Sequence, residues 1–69
     1  MTTATGVLKL GNTVGEVHLD MPIVSVCGEK YHVARCHRSE IPAELDGKRV
    51  QCDVYLDSEI TVARNVRAV

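Results

Sequence analysis

Apolar and polar residues alternate along most of the chain, with a period of two. Between 15 and 20, Val17 and Leu19 fall on one side and Glu16, His18 and Asp20 on the other, as in a strand with one wet face. The same period runs through 49–56, where Val50, Cys52, Val54 and Leu56 oppose Gln51, Asp53 and Tyr55. It returns in 60–69, with Val62, Arg64 and Val66 set against Ala63, Asn65 and Arg67. A shorter strand is expected at 7–10, preceded by a Thr-rich tail at 2–5 that reads as frayed. Turn chemistry separates these runs at Gly11-Asn12-Thr13 and at 57–59.

The middle of the chain reads as a hairpin. Pro22 interrupts, the β-rich run Ile23-Val24-Ser25-Val26-Cys27 follows, and Gly28-Glu29 has the residue order of a two-residue type II′ turn. In that register Val26 faces Tyr31, Val24 faces Val33, Ser25 faces His32 and Ile23 faces Ala34, so both faces are fairly apolar. Residues 38–45 form the one helix-like piece, about two turns long, with Ser39 as cap, Glu40 and Glu44 early, and Pro42 in the first turn. Asp46-Gly47 ends it. The expectation is an all-β fold: a small five-stranded OB-like Greek-key barrel with one short helix or 3-10 turn near 39–45. Closure into a barrel removes exposed edges from a Val-rich chain. An SH3-like small barrel fits the same order of elements.

Composition narrows the reading. With 69 residues the chain is expected to form one small domain, 1–69, of a size that buries only about 60% of its unfolded surface. It has no Phe or Trp and two Tyr, so its 45% hydrophobic content is mostly Val, Leu, Ile and Ala. A net charge of −1 gives no global attraction to nucleic acid or membrane, although Arg35, Arg38, Lys48, Arg49, Arg64 and Arg67 crowd the second half. No apolar run approaches the roughly 20 residues of a membrane span, and no leader pattern is read at the start. Three cysteines are too odd a count for a complete disulfide framework. A cytoplasmic chain with reduced thiols is expected.

Cys27, His32, Cys36, His37 and Cys52 are all potential zinc ligands, but Cys27-x4-His32-x3-Cys36 lacks the close Cys hook of zinc sites. Buried thiols serving as small hydrophobes are the favoured reading for all three cysteines, with no metal or other cofactor. No cysteine stands at a helix start beside an oriented His, so no enzyme activity is expected. The stretch from Gly11 to Gly15 lacks the Gly-Lys-Ser/Thr of a phosphate loop.

Taken in order, the strands resemble a degenerate cold-shock domain. Gly6-Val7-Leu8-Lys9-Leu10-Gly11-Asn12 is similar to that family's opening Gly-x-Val-Lys-Trp-Phe-Asn, and Gly15 to the glycine that opens its first RNA-binding motif. Val33-Ala34-Arg35-Cys36-His37-Arg38-Ser39-Glu40-Ile41 resembles the second motif, Asp-Val-Phe-Val-His-Tyr-Ser-Glu-Ile. Leu45, Gly47, Val50 and Ala63-x-Asn65-Val66 resemble its close. The resemblance implies an OB-fold protein that binds RNA or single-stranded DNA through Lys9, His18, Arg35, His37 and Arg38. The family's aromatic platforms are replaced at Leu10, Gly11, Glu16, His18, Arg35 and Arg38, and His37 alone survives of the stacking set. Each missing stack removes about 1–3 kcal/mol, while a guanidinium can itself stack on bases and bind phosphate. The competing expectation is a small protein-interaction or regulatory module that has lost nucleic-acid binding, with a homodimer among its forms, docking through Val24, Val26 and Tyr31 of the 23–36 hairpin.

Overall fold

The computed structural model describes residues 2–57 and 60–69. Five strands, β1 (Thr2–Leu10), β2 (Val14–Val24), β3 (Lys30–His37), β4 (Arg49–Asp57) and β5 (Ile60–Ala68), close into a barrel in the order β1-β2-β3-β5-β4. Among the described residues every pairing is antiparallel except β3 with β5, which run parallel and meet at the single position Arg35–Val62. This is the Greek-key, OB-type barrel expected from the order of elements. Its centre holds Leu8, Val17, Ala34, Cys36, Ile41, Leu45, Val50, Cys52, Val54 and Ala63. With no aromatic ring among them, the strands must approach closely to fill the interior.

The segment at 38–45 is two separate 3-10 turns, Arg38–Glu40 and Ala43–Leu45, rather than one helix capped by Ser39. Pro42 is the cause. A proline drives the residue before it out of helical conformation, and Ile41 is extended at φ −121° and ψ 129°. The break sends Ile41 and Leu45 into the core, both nearly fully buried.

Residues 2–5 are not frayed. Thr2 to Thr5 pair with Val54 to Gln51 of β4, the Thr3 hydroxyl meets Asp53 Oδ1 at 3.4 Å, and the Thr5 hydroxyl donates to Asp20 Oδ2 at 2.8 Å. The outer flank of β4 supplies a partner, and β-branched Thr suits it. Pro22 does not split the second strand either. β2 leaves β1 after Leu19 and continues with β3, and its register shifts between His18 and Ile23. Pro22 lies in that irregular stretch, where no ladder hydrogen bond needs its missing N–H.

The hairpin register also differs from expectation. Ile23 faces Tyr31 and Val24 faces Lys30. The turn is longer than two residues: Ser25 N–H donates to Glu29 O at 2.8 Å and Gly28 N–H to Ser25 O at 3.0 Å. Gly28 takes φ 87° as the last loop residue, the left-handed position of a three-residue hairpin loop rather than the first position of a type II′ turn. Val26 and Cys27 therefore sit at the loop tip, both exposed, and the apolar pairing Val24–Val33 and Val26–Tyr31 does not form. The turn expected at 57–59 falls largely on residues outside the described ones.

β5 breaks its own alternation. Gln51 pairs with Arg67 but Asp53 with Arg64, so β5 carries one extra residue there. Asn65 adopts φ 55°, and beyond it Val66 rather than Arg67 turns toward the core. Asn tolerates this left-handed conformation, whereas a β-branched residue is strained in it. Asn65→Val is expected to cost about 1–3 kcal/mol and Asn65→Gly close to nothing, as read by the midpoints of urea denaturation. Equal midpoints for the two variants would contradict the assigned bulge.

Candidate nucleic-acid interface

In an antiparallel ladder, residues directly opposite one another point to the same side of the sheet. The register sets Lys9 opposite Glu16 and Glu16 opposite Arg35. The next rung aligns Val7, His18 and Val33, and the one toward the β1–β2 turn pairs Val14 with His37. Gly6, Leu8, Gly15, Val17, Ala34 and Cys36 take the inner positions between them. Lys9, His18, Arg35 and His37 therefore share the outer wall of β1–β2–β3, and all four are exposed.

Arg38 begins the first 3-10 turn at the end of β3. Its Nη1 donates to Gly11 O at 2.7 Å, which ties the β1–β2 turn to the rim of this wall. All five residues singled out in the sequence for nucleic acid thus lie on one wall or its edge. Three permanent cations, Lys9, Arg35 and Arg38, stand there against the half-buried carboxylate of Glu16. Asp20, farther along β2, is neutralised by its ion pair with Arg49. Asp46 lies at the β1 end, its Oδ1 accepting the Leu10 N–H at 3.0 Å.

Tyr31 belongs to this wall as well. Its position two, four and six residues before Val33, Arg35 and His37 puts it in the same row of β3. Glu16, Tyr31, Val33, Arg35, Ile60 and Thr61 line one groove of about 330 Å3 beside the β3–β5 contact. The Tyr31 hydroxyl donates to Glu29 Oε2 at 2.6 Å, which orients the ring. The hairpin expected from the sequence groups Tyr31 with Val24 and Val26, although the parity of β3 alone is enough to set it beside Arg35. The structure does not gather those three. Val24 and Val26 project at and near the loop tip, while Tyr31 is half-buried opposite Ile23.

Two of the cysteines are core residues and one is not. Cys36 and Cys52 are buried, whereas Cys27 is exposed on the hairpin loop, because the longer turn carries it past the end of the ladder. Burial pushes the Cys36 thiol up to about 11, helped by Cys52, Glu40 and Glu16 nearby. Burial also raises Cys52, with Asp53 adding and Arg67 opposing. Both remain protonated at neutral pH and neither is an activated nucleophile. Among the described residues no three His, Cys, Asp or Glu side chains gather as a metal would require.

Comparison of the chain with protein-family models, with curated proteins and with solved structures gives no match. Among the described residues no helix is long and apolar enough to cross a membrane.

Proposed function

We propose that this OB-type barrel is a cold-shock-like, non-catalytic, cytoplasmic binder of single-stranded RNA or DNA. The observation that supports it is the shared wall: Lys9, His18, Arg35 and His37 on alternate, outward-facing rungs, with Arg38 held at the rim. A backbone tracking across β1–β3 meets Lys9, Arg35 and Arg38 in turn, and the Tyr31 ring and the Arg35 guanidinium offer planes for bases. With so few rings, charge carries more of the affinity than stacking does.

Fluorescence anisotropy with labelled mixed-sequence oligonucleotides, in DNA and RNA form, tests this. Wild-type protein is expected to bind at low ionic strength and to weaken as salt rises. Lys9→Ala with Arg38→Ala is expected to lower affinity about tenfold and to flatten the salt slope by roughly 1.4, about 0.7 for each single-strand phosphate that the variant no longer neutralises. Absence of wild-type binding at low salt removes the reading.

A second reading rests on a separate feature, the apolar end of the β2–β3 hairpin. Met21 is 76% and Val24 57% exposed, and Val26 is fully exposed. Such a tip suits a protein partner or a second copy of this chain. A nuclease-resistant complex that disappears in Val24→Ser with Val26→Ser would favour it.

A further inference from the structure

We infer that the groove beside the β3–β5 contact is a base-specific subsite, and that the base it selects is guanine. The inference rests on the nucleic-acid reading above and gives it a sequence preference. Its starting point is a carboxylate in the middle of a cationic wall. Glu16 sits directly between Lys9 and Arg35 on the ladder, where it repels phosphate and opposes any purely electrostatic grip.

The neighbours of Glu16 suggest a different use. Glu16 and Arg35 are directly opposed on β2 and β3, and both line the same groove of about 330 Å3, a volume at the small end for ligand sites. Among the described residues neither takes part in a salt bridge, so acceptor and donor stand side by side. A carboxylate offers two acceptor oxygens and a guanidinium offers several coplanar donors. The Watson–Crick edge of guanine presents an amino N–H, the ring N1–H and the O6 acceptor in a row. That order matches two acceptors followed by a donor. Adenine, cytosine and uracil or thymine do not present two adjacent donors, and each leaves a carboxylate oxygen unmatched.

The walls fit a base plane. Tyr31, held through its hydroxyl by Glu29, Val33 and the half-exposed Ile60 supply ring and aliphatic surface on which an unstacked base can lie while its edge is read. Thr61 also lines the groove. It is 4% exposed, and its hydroxyl has no hydrogen-bond partner among the described residues. Lys9 and Arg38, outside the groove, hold the flanking phosphates.

The test measures anisotropy at low salt with three labelled probes: oligo(dT), the same strand with one central deoxyguanosine, and the same strand with deoxyinosine there. The guanine strand is expected to bind about tenfold tighter than oligo(dT), in line with one bidentate base contact. Inosine, which keeps N1–H but lacks the amino group, is expected to lose most of that gain. Glu16→Gln is expected to erase the guanine preference while leaving oligo(dT) binding undiminished and the circular dichroism spectrum unchanged. Free guanosine monophosphate is expected to compete far less well than the guanine strand. Equal affinity for the three strands overturns the subsite and leaves the general binding reading standing, as does a preference that survives in Glu16→Gln. Competition by the free nucleotide as strong as by the strand overturns the assignment to a base within a chain. Binding of none of the probes removes the subsite together with the reading beneath it.

Discussion

Replacing Gly6 by alanine is expected to unfold much of the protein. Gly6 is buried in β1 at the point where that strand is shared, facing Leu19 of β2 on one side and Val50 of β4 on the other. A methyl group there would lie 2.3 Å from the His18 carbonyl oxygen, 2.8 Å from its carbon and 3.0 Å from Leu19 Cα. These are backbone atoms, so no side-chain rotation relieves the overlap, and β1 and β2 must move apart. Overpacking typically costs about 1–3 kcal/mol where side chains can adjust; here about 3 kcal/mol or more is expected. A small core rarely supplies more than about 3–5 kcal/mol, so most of the margin disappears. Gly15→Ala is the control. Its new methyl meets Cys36 Sγ at 2.9 Å and Leu10 Cδ2 at 3.0 Å, side-chain atoms that can yield, and it should cost distinctly less. Urea denaturation of both variants checks the difference. A Gly6→Ala midpoint equal to wild type would contradict the close approach of β1 and β2.

Alkaline pH is expected to destabilise the barrel through its buried thiols. Cys36 titrates in the folded state at about 11 against an ordinary 9.0. Between these values the unfolded chain has released the Cys36 proton and the folded chain still holds it. The unfolded state then binds fewer protons, and stability falls as pH rises. Below pH 9 the contribution is level. Across pH 9–11 the Cys36 shift amounts to about 2 to 3 kcal/mol, and the raised Cys52 acts with the same sign. Chemical denaturation from pH 8 to 11 should show this slope, and Cys36→Ala, whatever its stability at pH 8, should flatten most of it. A wild-type profile level to pH 11 would contradict the burial of Cys36.

The barrel was legible because its signal is local and repeated. Val50, Cys52 and Val54 alternate with Gln51 and Asp53, and the same parity runs through Glu16, Val17 and His18, so the inner and outer faces of these strands follow from spacing alone. The places where spacing misleads all depend on residues distant in sequence. Thr2 to Thr5 have no inward pattern of their own, and they are ordered by pairing with β4, about fifty positions away. Gly28 marks a turn but does not say whether it opens or closes the loop, and one loop length against another shifts the partner of Val24 from Val33 to Lys30. Asn65 belongs to a motif resemblance, yet its left-handed backbone, and the parity change it imposes on Val66, come from the pairing with β4. The candidate wall was legible residue by residue, since Lys9, His18, Arg35 and His37 are all outward positions. What spacing alone could not give was their register across three strands, and with it the direct opposition of Glu16 and Arg35.

Among the described residues β3 and β5 pair at one rung, which gives the cylinder a seam with little intrinsic strength. Elsewhere the described strands are joined by five or more rungs, whereas here, among the described residues, the Arg35–Val62 bridge and neighbouring side chains keep the two edges together. A ligand lodged in the adjoining groove, with contacts to Arg35 on one edge and Ile60 on the other, would act as a keystone. By mass action, a ligand that binds the folded cylinder and not the unfolded chain raises the melting temperature as its concentration climbs above its dissociation constant.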